Sequence, residues 1–136
     1  MDVPLAMLAD CANISREGKL NVMGIFDRIY AGQFPAKHLQ MQLVLTFLAG
    51  PAERGSTKNI QIKLIDADGK ETMDIKGELA VPPSAALTSS FNQIITINEV
   101  TFPRAGTYEF VVLVNGEPKK EVRFTVDPMP QQGKAG

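Results

Sequence analysis

The stretch Pro103-Arg-Ala-Gly-Thr-Tyr-Glu-Phe-Val-Val-Leu-Val-Asn-Gly-Glu-Pro-Lys-Lys-Glu-Val-Arg-Phe-Thr-Val126 constrains the fold more than any other part of the chain. Two alternating runs flank Asn115-Gly116. Asn-Gly accepts the positive φ angles of a type I′ turn, whose twist matches that of the strands it joins, so the segment reads as a β-hairpin. Strict alternation places one set of side chains on each face of a strand and suits no helix. The rest of the chain has the same character: about eight runs, within a range of seven to nine, separated by turn residues.

These runs are Pro4–Ile14, Lys19–Tyr30, Leu39–Leu48, Thr57–Ile65, Glu71–Val81, Phe91–Val100, Thr107–Asn115 and Lys120–Asp127. The clearest alternation is Leu39, Met41, Leu43, Leu45 and Phe47 against Gln40, Gln42 and Thr46. Ser15–Gly18 reads as a turn and Asp68-Gly69 as a second two-residue turn. Gly24, inside a run, marks a bulge or a close backbone approach. Met73, Ile75, Leu79 and Val81 share one parity of the fifth run, with Asp74, Lys76 and Glu78 on the wet side. Both faces of Pro4–Ile14 are apolar, as is the Met23–Ile25–Ile29 parity of the next run, which points to cover by the crossover or by another subunit. Pro82–Ser90 is read as a crossover between sheets, and Ala85-Ala86-Leu87 offers one helical turn at most. Residues 1–127 form one domain, and the tail, 128–136, lacks apolar periodicity and is read as disordered.

Composition narrows the function classes. The 44% hydrophobic and 21% charged residues are globular proportions. The net charge of −1 gives no general pull on nucleic acid or anionic membrane, so neither is expected as a partner. One cysteine, Cys11, cannot form an internal disulfide; it reads as a small buried apolar residue in a reducing, cytoplasmic setting. The N-terminal apolar run is broken by Asp10 and lacks a basic lead, so it reads as neither signal peptide nor membrane span.

Little chemistry can be assembled. His38 is the only histidine and reads as a loop residue ahead of the third strand. With Cys11 it lacks a third, orienting group, so no catalytic set follows. Asp66-Ala-Asp68-Gly69, with Asp74 nearby, superficially suggests a calcium loop. The twelfth position from Asp66 is Gly77, where such a loop needs Glu, so these three carboxylates are only weak metal candidates. Zinc is excluded by ligand count, and no Gly-rich loop leads into a helix to cradle phosphate. No cofactor is expected.

Two resemblances follow from these residues. From Ile94 to Val126, an apolar strand, a Phe-Pro-x-x-Gly corner ending at Gly106, then Tyr-x-Phe-x-Val and the Asn115-Gly116 turn, the chain resembles the closing strands of immunoglobulin-like and fibronectin-type-III-like modules. The resemblance implies an antiparallel, Greek-key β-sandwich in which the Tyr108 hydroxyl ties the corner to upstream backbone. The paired cysteines and core tryptophan of antibody domains are absent. Ala9–Asp27 resembles the opening of a family of small uncharacterised bacterial proteins, classed as a domain of unknown function. That resemblance implies a bacterial source and no activity.

The expectation is a non-enzymatic β-sandwich that binds or assembles through sheet edges and loops, with a protein partner or self-association, including a homo-oligomer. The alternative is a small-ligand or carbohydrate module with calcium at the Asp66–Asp68 loop. An enzyme is the weakest of the three readings.

Overall fold

A computed structural model of the chain describes residues 1–83 and 89–130. Its strands are β1 (Asp2–Ile14), β2 (Leu20–Phe26), β3 (Arg28–Ala31), β4 (Ala36–Ala49), β5 (Thr57–Ile65), β6 (Glu71–Ala80), β7 (Ser89–Phe102), β8 (Gly106–Val114) and β9 (Glu117–Pro128). They form two sheets, ordered β2-β1-β4-β7 and β3-β9-β8-β5-β6. The expected all-β sandwich is therefore what the chain forms. Its non-sequential neighbours, β4 with β7 and β5 with β8, come from connections that cross between sheets, as Greek-key sandwiches require. Every pairing is antiparallel except β3 with β9, which is parallel. No helix among the described residues is long and apolar enough to cross a membrane.

Period-2 alternation explains the core. Leu8, Met41, Leu43, Leu45 and Phe47 of one sheet meet Ile62, Leu64, Phe110, Val112 and Phe124 of the other. Each fully buried side chain of this size is worth roughly 1.5–3 kcal/mol. Rings of Phe102, Tyr108, Phe110 and Phe124 pack together, Phe102 meeting Tyr108 edge-on at 4.8 Å between centroids.

Two turns use one device. In Ser15–Lys19, the Ser15 N–H donates to the Lys19 carbonyl, the Gly18 N–H donates to Ser15, and Gly18 has φ 87. In Asp66–Lys70, the Asp66 N–H donates to Lys70, the Gly69 N–H donates to Asp66, and Gly69 has φ 81. A side-chain oxygen, Ser15 Oγ or Asp66 Oδ1, takes the Lys19 or Lys70 N–H. This is a longer loop with one left-handed glycine, not the two-residue turn expected at Asp68-Gly69. The expected type I′ geometry is present at Asn115 (φ 49) and Gly116 (φ 81).

The structure departs from the expected strands in four other places. The run expected over Lys19–Tyr30 is two strands in different sheets. After Phe26 the chain changes sheets: the Asp27 carbonyl takes the Thr125 N–H, and Arg28–Ala31 runs parallel to β9. Leu39, expected inside, is 72% exposed. It faces Glu99, whose φ of 54 reverses the parity of β7, so that Ile97 and Val100 both point inward and the β4 residues opposite turn over with them. His38 is in β4 rather than a loop, with its ring 6.2 Å from that of Phe26. Pro128 ends β9 instead of opening a tail, and the Met129 N–H donates to Ala31. The helical turn weighed at Ala85–Leu87 and the rest of the tail, residues 131–136, lie outside the described residues.

The loop between β4 and β5 is pinned at Glu53. Its carboxylate meets the Met1 ammonium at 2.8 Å, the Lys58 ammonium at 3.0 Å and the Gly50 N–H at 3.1 Å. The Met1 ammonium does most to hold the Glu53 pKa down to about 2; burial opposes it, and Gly50 and Lys58 reinforce it.

Candidate functional site

One open side of the sandwich lies between β6 and β7, an edge strand of each sheet. Along β6 the inward parity reads Met73, Ile75, Gly77, Leu79. Gly77 stands where a large apolar side chain would complete the layer. A Cβ built there meets nothing within 4 Å. The missing side chain leaves a cleft of about 200 Å³, walled by Phe47, Ile60, Ile62, Ile75, Leu79 and Ile95. Lys76, Glu78 and Gln93 form its rim. The cleft is smaller than the roughly 300–1,000 Å³ that encloses a drug-sized ligand and matches side chains instead. Gly77 drew notice in the sequence only as the twelfth position of a failed calcium loop. Its functional signal was the break in the Met73–Ile75–Leu79–Val81 parity.

The structure scatters the candidate metal ligands among other duties. Asp66 Oδ1 accepts the N–H groups of Asp68 and Lys70, at 3.0 and 2.9 Å. Asp68 is ion-paired with Arg104. Asp74 accepts two contacts from Gln61 Nε2, at 2.9 and 3.1 Å. Among the described residues, no three Asp, Glu, His or Cys side chains converge as a metal site.

Tyr108 and Gly106 lie at the corner before β8, and Asn115 and Gly116 at the tip of the β8–β9 hairpin. Tyr108 is buried, and its hydroxyl donates to the Arg104 carbonyl at 2.7 Å. Burial raises its pKa. Gly106 has φ 151, a conformation that suits glycine. Asn115 Oδ1 takes the Asn59 N–H at 2.9 Å, tying the hairpin tip to β5.

Cys11 is exposed, correcting the reading of a buried thiol. It lies on β1 opposite Met23, where the β1–β2 hairpin also exposes Met23 and Ile25. His38 packs by Phe26. The apolar outward face of β1 continues into Val44 and Ile94 of β4 and β7, since Met7 pairs with Val44 and Val44 with Ile94.

No curated protein matches the chain. Among solved structures, it is similar to a Pseudomonas fluorescens alkylpurine DNA glycosylase bound to DNA containing an abasic-site analog. The identity is 13% and the TM-score 0.47, and the match covers 90% of this chain and 30% of that one. The chain thus spans under a third of that protein, and a likeness at this level carries no argument about activity. The protein in that comparison is DNA-bound, and the exclusion of nucleic acid drawn from net charge is withdrawn. The physical reason is that a net charge of −1 sums over the whole surface and leaves local contacts open. The model of one family, described as a family of unknown function (DUF6941), matches residues 4–127, so the chain belongs to that family.

Proposed function

We propose that this protein is a non-enzymatic recognition module, an immunoglobulin-like sandwich that binds or assembles through its sheet edges. The observation that carries this reading is the cleft at Gly77, flanked by the edge strands β6 and β7. Hydrocarbon walls bind by excluding water, and they present neither nucleophile nor proton donor to a substrate. An edge strand adds backbone hydrogen-bonding groups beside the cleft, the combination that recognises an extended chain. The setting is a bacterial cytoplasm, where an exposed thiol such as Cys11 stays reduced. The calcium-assisted alternative gains nothing from Asp66 and Asp68, whose oxygens already serve the turn and Arg104.

The test is a titration with N-acetyl-leucine amide followed by backbone NMR. The proposal expects saturable shifts at Ile75, Gly77, Leu79 and Ile95. Absence of shifts there, or shifts confined to the second hollow, of about 400 Å³ and lined by Tyr30 and His38, contradicts it.

A further inference from the structure

We infer that β6 pairs edge-to-edge and antiparallel with β6 of a second copy of the chain, about a two-fold axis at Gly77. The inference rests on the reading of this edge as the working surface. The order of charges along the strand supports this pairing. Around Gly77 the outward residues are Asp74, Lys76 and Glu78, and the inward ones are Ile75 and Leu79. A two-fold axis normal to the sheet at Gly77 sets Lys76 opposite the second copy's Glu78, and Glu78 opposite its Lys76. The same axis sets Ile75 opposite Leu79 twice over. Directly opposed residues sit close enough to interact, and opposite charges there stabilise while like charges destabilise. The patch is thus complementary to itself, as a two-fold interface requires.

Neighbouring registers fare worse. An axis at Lys76 opposes Lys76 to itself and Asp74 to Glu78. An axis at Glu78 opposes Glu78 to itself. An axis at Ile75 pairs Lys76 with Asp74, but that carboxylate already takes both contacts from Gln61. Lys76 is 73% exposed, and its contact to Asp74 within the strand is long, at 3.9 Å, so the ammonium can turn to a new partner. Pairing also shields the cleft mouths of both copies and removes β6 as a free edge, which sandwiches otherwise protect from uncontrolled association.

Charge reversal tests the inference on the full chain. Light scattering over roughly 1 µM to 1 mM spans weak to moderate affinities. The wild-type chain is expected to shift from the mass of one chain toward two. K76E and E78K should each weaken the dimer at least about tenfold, because each turns two attractive pairs into repulsive ones. The double variant K76E/E78K restores both pairs and should dimerise like wild type. An equimolar mixture of the single variants should form the heterodimer, since the K76E chain carries two carboxylates across the axis from two ammonium groups of the E78K chain. Circular dichroism of each variant checks folding.

A wild-type monomer throughout the range overturns the inference. So does a dimer that K76E weakens and E78K leaves intact, which would assign the axis to Ile75. A monomer that still binds N-acetyl-leucine amide at Gly77 would leave the recognition reading standing while the dimer falls.

Discussion

Replacing Tyr108 by Phe removes one oxygen and leaves the ring where it is. The ring remains packed against Phe102 and Phe124, so no cavity opens. What is lost is the hydroxyl donation to the Arg104 carbonyl at 2.7 Å. A net hydrogen bond of this kind contributes roughly 0.5–1.5 kcal/mol, and an abandoned buried acceptor costs up to about 3 kcal/mol. Arg104 is exposed, so water can reach its carbonyl, which places the loss near the lower range, about 1 kcal/mol. For a domain of this length that is a fall in Tm of about 4 °C. Urea denaturation at pH 7 should show a lower midpoint with an unchanged slope. The alkaline limb gives a second reading. Burial raises the Tyr108 pKa in the folded chain, so the tyrosine stabilises the fold below its ordinary value near 10 and loses that contribution as pH rises past it. The Phe variant should lose less stability than wild type does as pH rises above about 10. A Phe variant as stable as wild type at pH 7, with the same alkaline limb, would refute the corner's role.

Other perturbations have equally definite outcomes. Acid should weaken the loop around Glu53: its pKa, about 2 when folded and 4.5 otherwise, gives stability that is full above pH 4.5 and lost as pH falls toward 2. Glu53→Gln should cost on the order of 2 kcal/mol at pH 7 and flatten that acid limb, discounting for a carboxylate 18% exposed; urea titrations at pH 7 and 3 measure it. Gly77→Val should raise Tm, because strand glycine costs roughly 0.5–1 kcal/mol and the new side chain enters open space, while abolishing NMR shifts with N-acetyl-leucine amide. Gly24→Ala should lower stability by at least about 1 kcal/mol, since φ there is 72 and a Cβ would lie 2.5 Å from Asp10 Oδ2. Gly24→Ala combined with Asp10→Ala should recover only the steric part, measured by the same denaturation.

Local rules carried most of the fold. Thr57–Ile65 is a strand over its full expected length because alternation and bounding turns agree there. Asn115-Gly116 and Tyr108 carry their geometry in the residue types themselves, positive φ in one case and a hydroxyl at a corner in the other. What escaped is set by tertiary partners. Arg28–Ala31 continues the extended backbone of the preceding strand, and nothing local announces that its hydrogen bonds go to β9. Leu39 obeys the alternation of its own strand and is turned outward by Glu99, a residue of distant β7. Cys11 is apolar enough for a core, yet its strand pairs with β2 rather than β4 at that point. Of the candidate site, the gap at Gly77 was visible as a broken parity. That the gap faces a second edge strand was not, because β6 and β7 belong to different sheets.

The account stands on β6 being a working edge. Amide hydrogen exchange of the full chain, followed residue by residue at two concentrations roughly a hundredfold apart, tests this most directly. The account predicts that β6 amides facing away from β5 gain protection at the higher concentration, with those of the β1–β2 hairpin unchanged. Exchange at β6 that is independent of concentration, with new protection on Met23, Ile25 or the outer face of β1, would contradict it.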